Sequence, residues 1–197
     1  MLTTLIILVI IAIPVTWAVS QNALVAGRER VNEGWSGITI QLKRRHALVP
    51  NLVQAAQTAM SHENAIFDKL LGAREEAVRL MSGGTPEDIT RAEAQLTSAL
   101  NDFVSYAEDT PEITANENIR LLQSQLEETE DQIAAARRLY NGNVTSYNMK
   151  LEQVPYSFVA GRGGFERASL YDVDAAEFKR ISADLSVAAL GLGGGST

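Results

Sequence analysis

Apolar residues fill the start of this chain almost without a break and then settle into a spacing of threes and fours. From Leu2 to about Val19 only Thr3, Thr4, Pro14 and Thr16 interrupt the apolar run, and the first charge is Arg28. A helix of about 20 apolar residues crosses a bilayer. Lipid offers the backbone no partners, so the run is expected to be helical. Pro14 is tolerable in a spanning helix, and Trp17 near the end of the run suits the interface. The competing reading is a cleaved secretory signal, with Ala18-Val19-Ser20 as small residues in a cleavage-site spacing. Met1 to Thr4 carries no Lys or Arg and the run exceeds the usual apolar region of a signal, which favours a retained anchor.

Beyond the run, Leu24, Val31, Trp35, Ile38 and Leu42 share one helical face with no proline before Pro50. The spanning helix either continues through this segment or breaks at its glycines. Gly27, Gly34 and Gly37 fit close packing of a neighbour and mere tolerance equally well. Pro50 either starts a new helix or kinks a continuous one. Helical spacing then persists from Leu52 through Ile66, Phe67 and Leu70 to Met81, and Ser82-Gly83-Gly84 ends it. Thr85 reads as an N-cap, with Pro86 at the first helical position and Glu87 and Asp88 in the first turn. That helix is expected to run to about Ala107. Thr114-Ala115-Asn116-Glu117 has capping-box spacing. It opens the most regular stripe of the chain, Ile119, Leu122, Leu126, Thr129, Ile133, Ala136, Tyr140, Val144, Tyr147 and Leu151. Past Pro155 the pattern fails, and Gly161-Arg162-Gly163-Gly164 reads as a glycine-rich loop. A short helix is expected over Val173 to Leu185 and a flexible tail over Gly191 to Thr197.

The fold expected is all-α: an N-terminal transmembrane helix over 1–21, an elongated antiparallel helical bundle over 22–154, and a C-terminal loop, short helix and tail over 155–197. The length of 197 residues leaves one domain with a core outside the anchor. The chain has no cysteine, which excludes disulfide and thiol chemistry and fits a reducing compartment. A net charge of −7 argues against nucleic acid as a partner and against broad adhesion to anionic lipid. No positive charge precedes the span, whereas Arg28, Arg30 and then Lys43, Arg44 and Arg45 follow it. That bias predicts a cytoplasmic bundle and a very short external N-terminus at the cell inner membrane.

No catalytic constellation stands out. The two histidines, His46 and His62, are not spaced as a helical zinc pair, and Gly161-Arg162-Gly163-Gly164 is not a phosphate loop because no strand precedes it. Asp102, Glu108, Asp109 and Glu112 read as a solvated helix end rather than a cation site. No cofactor and no metal site are expected. Lys43-Arg44-Arg45 is the sharper feature, three cations together in an acidic domain. It reads either as a solvated helix face or as a contact for anionic lipid or for an acidic helix such as the one displaying Glu127, Glu128, Glu130 and Asp131.

The block Gln41-Leu42-Lys43-Arg44-Arg45-His46-Ala47-Leu48-Val49-Pro50-Asn51-Leu52-Val53 resembles the hallmark of the LemA family. Asn22, Leu24, Val25, Arg30, Val31 and Trp35 resemble its N-terminal pattern. The likeness continues at His62-Glu63, Ala73-Arg74, Ala115-Asn116-Glu117, Ala136-Arg137-Arg138, Tyr140-Asn141 and Tyr147-Asn148, and ends at Pro155, Phe158, Ala160 and Phe165. The resemblance implies a membrane helix followed by a cytoplasmic helical bundle, with no established catalytic activity and no catalytic residues to carry over. It also implies association with membrane-shaping systems such as magnetosome formation, or with stress-linked membrane proteases. Lys43, Arg44, Arg45, Pro50 and Asn51 are the candidate interaction residues through their match to the polar block. The function expected is a single-pass, self-associating scaffold that organises or shapes a membrane region, with the lipid bilayer and further copies of itself as partners. The alternative is an adaptor or accessory subunit of another membrane protein such as a protease.

Overall fold

The structure, a computed structural model, describes residues 2–59 and 64–171. His62, Glu63, the expected Val173 to Leu185 helix and the Gly191 to Thr197 tail lie outside the described residues. Helix α1 is Leu2–Ala59, 58 residues without a break at the anchor boundary, with Pro14 and Pro50 inside it. At 1.5 Å per residue it is about 87 Å long. Among the described residues it is the one helix long and apolar enough to cross a membrane. In its first turns Leu8, Ile10, Ile11, Ile13, Val15 and Val19 are exposed rather than packed on the bundle.

Helix α2, Asn64–Met81, is a separate element, so the apolar spacing from Leu52 to Met81 covers two helices and not one. Both put their apolar face into a common core, which lets the periodicity run on across the junction. Helix α3, Pro86–Glu108, starts as the sequence predicts. The Thr85 hydroxyl accepts from the Asp88 amide, and the Asp88 carboxylate accepts from the Thr85 amide, both at 3.2 Å. A single turn, α4, spans Pro111–Thr114. The cap of the following helix is Asn116 rather than Thr114: its side-chain oxygen accepts from the amides of Asn118 and Ile119. Helix α5, Glu117–Glu152, has 36 residues, about 54 Å. Helix α6, Tyr156–Gly163, occupies the stretch expected as loop. Among the described residues Gly164 alone, at φ 65°, has a left-handed conformation, and it closes this helix. Eight residues are too few for a periodic signal, which hides α6 in the sequence.

Helices α1 and α5 pack antiparallel over most of the bundle. Ile119 joins a core at the far end from the apolar run with Leu52, Ala56, Phe67, Leu96 and Phe103. Val31, Ile38 and Leu42 meet Ile133, Tyr140, Val144 and Tyr147 in the middle, and Leu24 meets Val159 and Ala160 next to the span. Two of the three glycines in α1 permit this approach. A Cβ on Gly34 would stand 3.1 Å from the Tyr140 Cα, and one on Gly27 would stand 3.0 Å from the Tyr147 ring, whereas Gly37 faces open space.

Beyond Gly164 the chain runs extended along α5, antiparallel to it. Asn148 donates to the Ala168 carbonyl and accepts from its amide, and Asn141 does the same for Tyr171. Seven helical residues rise about 10.5 Å and three extended residues about 10 Å, so the two clamps match in register.

Candidate functional site

The expected Ile119 to Leu151 stripe lies inward, and the same inward face of α1 carries two polar residues. Arg45 falls three residues after Leu42 and four before Val49, and His46 falls four after Leu42 and three before Val49. Both therefore enter the core with the apolar stripe. On α3, Glu93 occupies the equivalent inward place between Ile89 and Leu96. Arg45 is 4% exposed and Glu93 3% exposed, so the charges are taken out of water as a pair.

Glu93 divides its carboxylate. One oxygen accepts from Arg45 at 3.2 Å and the other faces His46 Nε2 at 2.6 Å. Arg45 further donates to the Thr97 hydroxyl at 2.7 Å and pairs with Glu130 of α5 at 3.2 Å. The guanidinium thereby ties three helices together. His46 Nδ1 is buried with no hydrogen-bond partner among the described residues, while its other nitrogen faces the carboxylate. A buried acid–base pair of this kind is costly to desolvate, and removing one member leaves an uncompensated charge.

Tyr171, at the end of the extended segment, closes one side of this cluster. It is buried, packed against Trp35 in a tilted arrangement with ring centroids 5.8 Å apart and an interplanar angle of 53°, and covered by the Arg137 guanidinium at 5.9 Å. Burial above all, with the Glu93 carboxylate adding, pushes its phenol up to about 12, against the opposing effect of Arg137, Thr90 and Arg45.

The candidate interaction residues occupy distinct environments. Lys43 is exposed. Arg44 pairs with Glu128 of α5 at 3.0 Å on the surface. Arg45 is the buried member. Two of the three cations thus meet acids of α5 within the same chain. Asn51 is exposed beside Asn118 and Leu122. Pro50 lacks an amide hydrogen, so the carbonyl of His46 has no donor four residues on. Arg74 of α2 supplies one, its Nε donating to the His46 carbonyl at 3.1 Å. Pro50 and Arg74 are one device, in which a helix keeps its course through a proline because a neighbour satisfies the freed oxygen.

Sequence reasoning missed Glu93, Thr97, Arg74, Asn141, Asn148 and Tyr171 as parts of one arrangement. Glu93 had a legible signal, a carboxylate on the apolar face of α3. A cleft of about 300 Å³ opens beside Arg45, between Leu52, Leu100 and Leu126 and rimmed by Glu108, Glu127 and Glu130. Every contact of the Arg45 guanidinium described above is internal, so the site is built to lock helices together. Among the described residues no group of three or more His, Asp or Glu converges as a metal site.

A model of the LemA family matches residues 34–184, the stretch that holds Arg45, His46, Pro50, Arg74, Glu93 and both asparagine clamps. The chain belongs to the LemA family. Among curated relatives of this LemA protein, the magnetosome protein MamQ of Magnetospirillum gryphiswaldense is 22% identical over 188 residues, covering 84% of this chain and 69% of the relative. Magnetosome proteins MamQ 2 and MamQ 1 of Paramagnetospirillum magneticum are each 23% identical over the same share. These likenesses, with the apolar start of α1, mark the LemA chain as a membrane-associated protein.

Proposed function

We propose that this LemA-family protein is a single-pass, membrane-anchored scaffold that self-associates and organises or shapes a membrane region, without catalysis. The observation that carries the reading is the continuity of α1. One helix of 58 residues forms both the span and the longest element of the bundle. No flexible linker separates anchor from bundle, so the bundle's orientation is coupled to that of the span. The glycine contacts with α5, the buried Arg45–Glu93 lock and the asparagine clamps keep the bundle stiff against it. The likeness to magnetosome proteins supports the membrane setting.

Self-association draws support from the outer face of α5. Leu121 and Leu139 are 58% and 62% exposed. They stand 18 residues apart, five full turns, and so lie on the same side of the helix. Confinement to a membrane raises the effective concentration of such faces and lets weak contacts build assemblies. The decisive experiment is the size of the complex extracted from membranes in mild detergent. Large homomers are expected, and replacing Leu121 and Leu139 by lysine should dissolve them while leaving the melting temperature unchanged. A monomer would refute the scaffold and move the assignment to an accessory subunit of another membrane protein. The reading puts the bundle on the cytoplasmic side, and Arg28 and Arg30, the first cations after the span, support it. An engineered cysteine at Gly83 should therefore resist an impermeant thiol reagent in intact cells, and ready labelling would reverse the topology.

A further inference from the structure

Helix α6 runs beside the span rather than below it. Pro155, Phe158 and Val159 form a groove of about 320 Å³ with Ile13, Thr16 and Trp17 of α1. Its walls are almost wholly apolar, because the Ser20 hydroxyl donates to the Thr16 carbonyl at 2.7 Å and is spent within α1. Phe158 is 68% exposed and Val154 is 73% exposed. Phe158 continues the apolar wall of the groove onto the surface, and Val154 adds exposed apolar surface one residue before Pro155. Ile13 precedes Val19, the last apolar residue of the run, by six residues and Trp17 precedes it by two. Phe158 thus lies about 3–9 Å inside the apolar band.

Charge follows the same division. No Asp, Glu, His, Lys or Arg falls between Glu152 and Arg162, and none precedes Arg28 on α1. Going away from the span, α6 reaches Arg162 about 6 Å beyond Phe158. Arg28 lies over the Phe165 ring at 5.4 Å. The first cations of both elements therefore stand on the same side of the apolar groove, where headgroups would be. Trp17 and Tyr156 supply the amphipathic rings that favour an interface.

We infer that the α5–α6 turn, with Val154 and Phe158 at its tip, is a second membrane-inserted element, a wedge seated in the leaflet on the bundle side of the span, with lipid acyl chains filling the groove between Phe158 and α1. This rests on the reading of α1 as a transmembrane anchor. An insertion of about 5–10 Å is the usual depth of interfacial helices. The wedge holds the bundle to the bilayer at two points instead of one, and it adds volume to one leaflet only.

The chain has no cysteine, so single sites can be labelled on the full protein. The environment-sensitive dye NBD would be placed on cysteines at Phe158, Val154, Ile11 and Gly83, each variant reconstituted in phosphatidylcholine–phosphatidylglycerol vesicles. The labels at positions 158 and 154 should be blue-shifted and quenched severalfold more by nitroxides on acyl chains than by aqueous iodide. They should thereby match position 11 and oppose position 83. If position 11 is lipid-quenched while 158 and 154 behave like 83, the wedge is overturned and the anchor stands. If position 11 itself behaves like 83, the anchor fails and the wedge with it. If 158 is shielded from both quenchers and shows energy transfer between copies, a second copy covers this face and the lipid assignment is wrong.

Discussion

Replacing Glu93 by leucine removes the acceptor that Arg45 and His46 share and leaves the Arg45 guanidinium buried. Arg45 keeps the Thr97 hydroxyl at 2.7 Å and Glu130 at 3.2 Å. Glu130 is half exposed, so its charge is screened by water and only partly compensates. Breaking a buried pair costs about 3–5 kcal/mol, and the surviving partners put Glu93→Leu at the lower end. Arg45→Met strands Glu93 beside His46 alone and belongs at the upper end. In a domain of this size the two changes correspond to losses of about 6–20 °C in melting temperature. The double variant replaces both charges by apolar groups and should recover most of the loss, since buried pairs exchanged for apolar residues are often neutral. The assay is thermal unfolding of the full chain in mild detergent, followed by circular dichroism through the four-member cycle. Additive single losses would show that Arg45 and Glu93 are uncoupled and would refute their role as the lock between α1 and α3.

Three further outcomes follow from named contacts. Arg74→Ala should cost about 1–3 kcal/mol by orphaning the His46 carbonyl, and much less in a Pro50→Ala background, where the helix regains its own donor; equal costs in both backgrounds would separate the two residues. Gly34→Ala should destabilise by about 1–3 kcal/mol because the Tyr140 backbone cannot yield, while Gly37→Ala, which meets nothing, should stabilise by about 1 kcal/mol; denaturant midpoints decide, and like signs would contradict the packing. The Tyr171 phenol is raised to about 12 from an unfolded value of about 10. Folding therefore favours its neutral form, and that contribution is full below pH about 10 and fades as pH climbs toward about 12. Tyr171→Phe should flatten this part of the alkaline stability profile by about 2–3 kcal/mol, and an unchanged slope between the two proteins would place the phenol in water.

Much of this fold is legible because bundle helices repeat one rule. The stripe from Ile119 to Leu151 and the Thr85 cap read directly from spacing and side-chain chemistry. The junction between Ala59 and Asn64 does not, since both helices feed one core and the apolar period survives the change of element. Helix α6 is too short to show a period, and its meaning comes from lying against Ile13 and Trp17, a contact that joins residues 140 positions apart. The site shows the same limit. Arg45, His46 and Glu93 each announce themselves as polar residues on apolar faces, yet which base meets which acid depends on the axial offset of α3 against α1. Asn141 and Asn148 look like ordinary surface amides until an extended segment lies across them.

The basic cluster carries the sharpest consequence of that limit. As a sequence, Lys43-Arg44-Arg45 is one patch. As a structure, it is three separate environments. Arg45 belongs to the core, Arg44 pairs with Glu128 at the surface, and Lys43 points to water. Neutralising all three together would confound assembly with stability, because the Arg45 change alone removes the buried lock. A contact between copies or with headgroups has to be sought with Lys43 and Arg44 replaced and Arg45 kept. Loss of homomers in that pair of substitutions, at an unchanged melting temperature, would assign the surface cations to assembly. Retention would leave self-association to the outer face of α5.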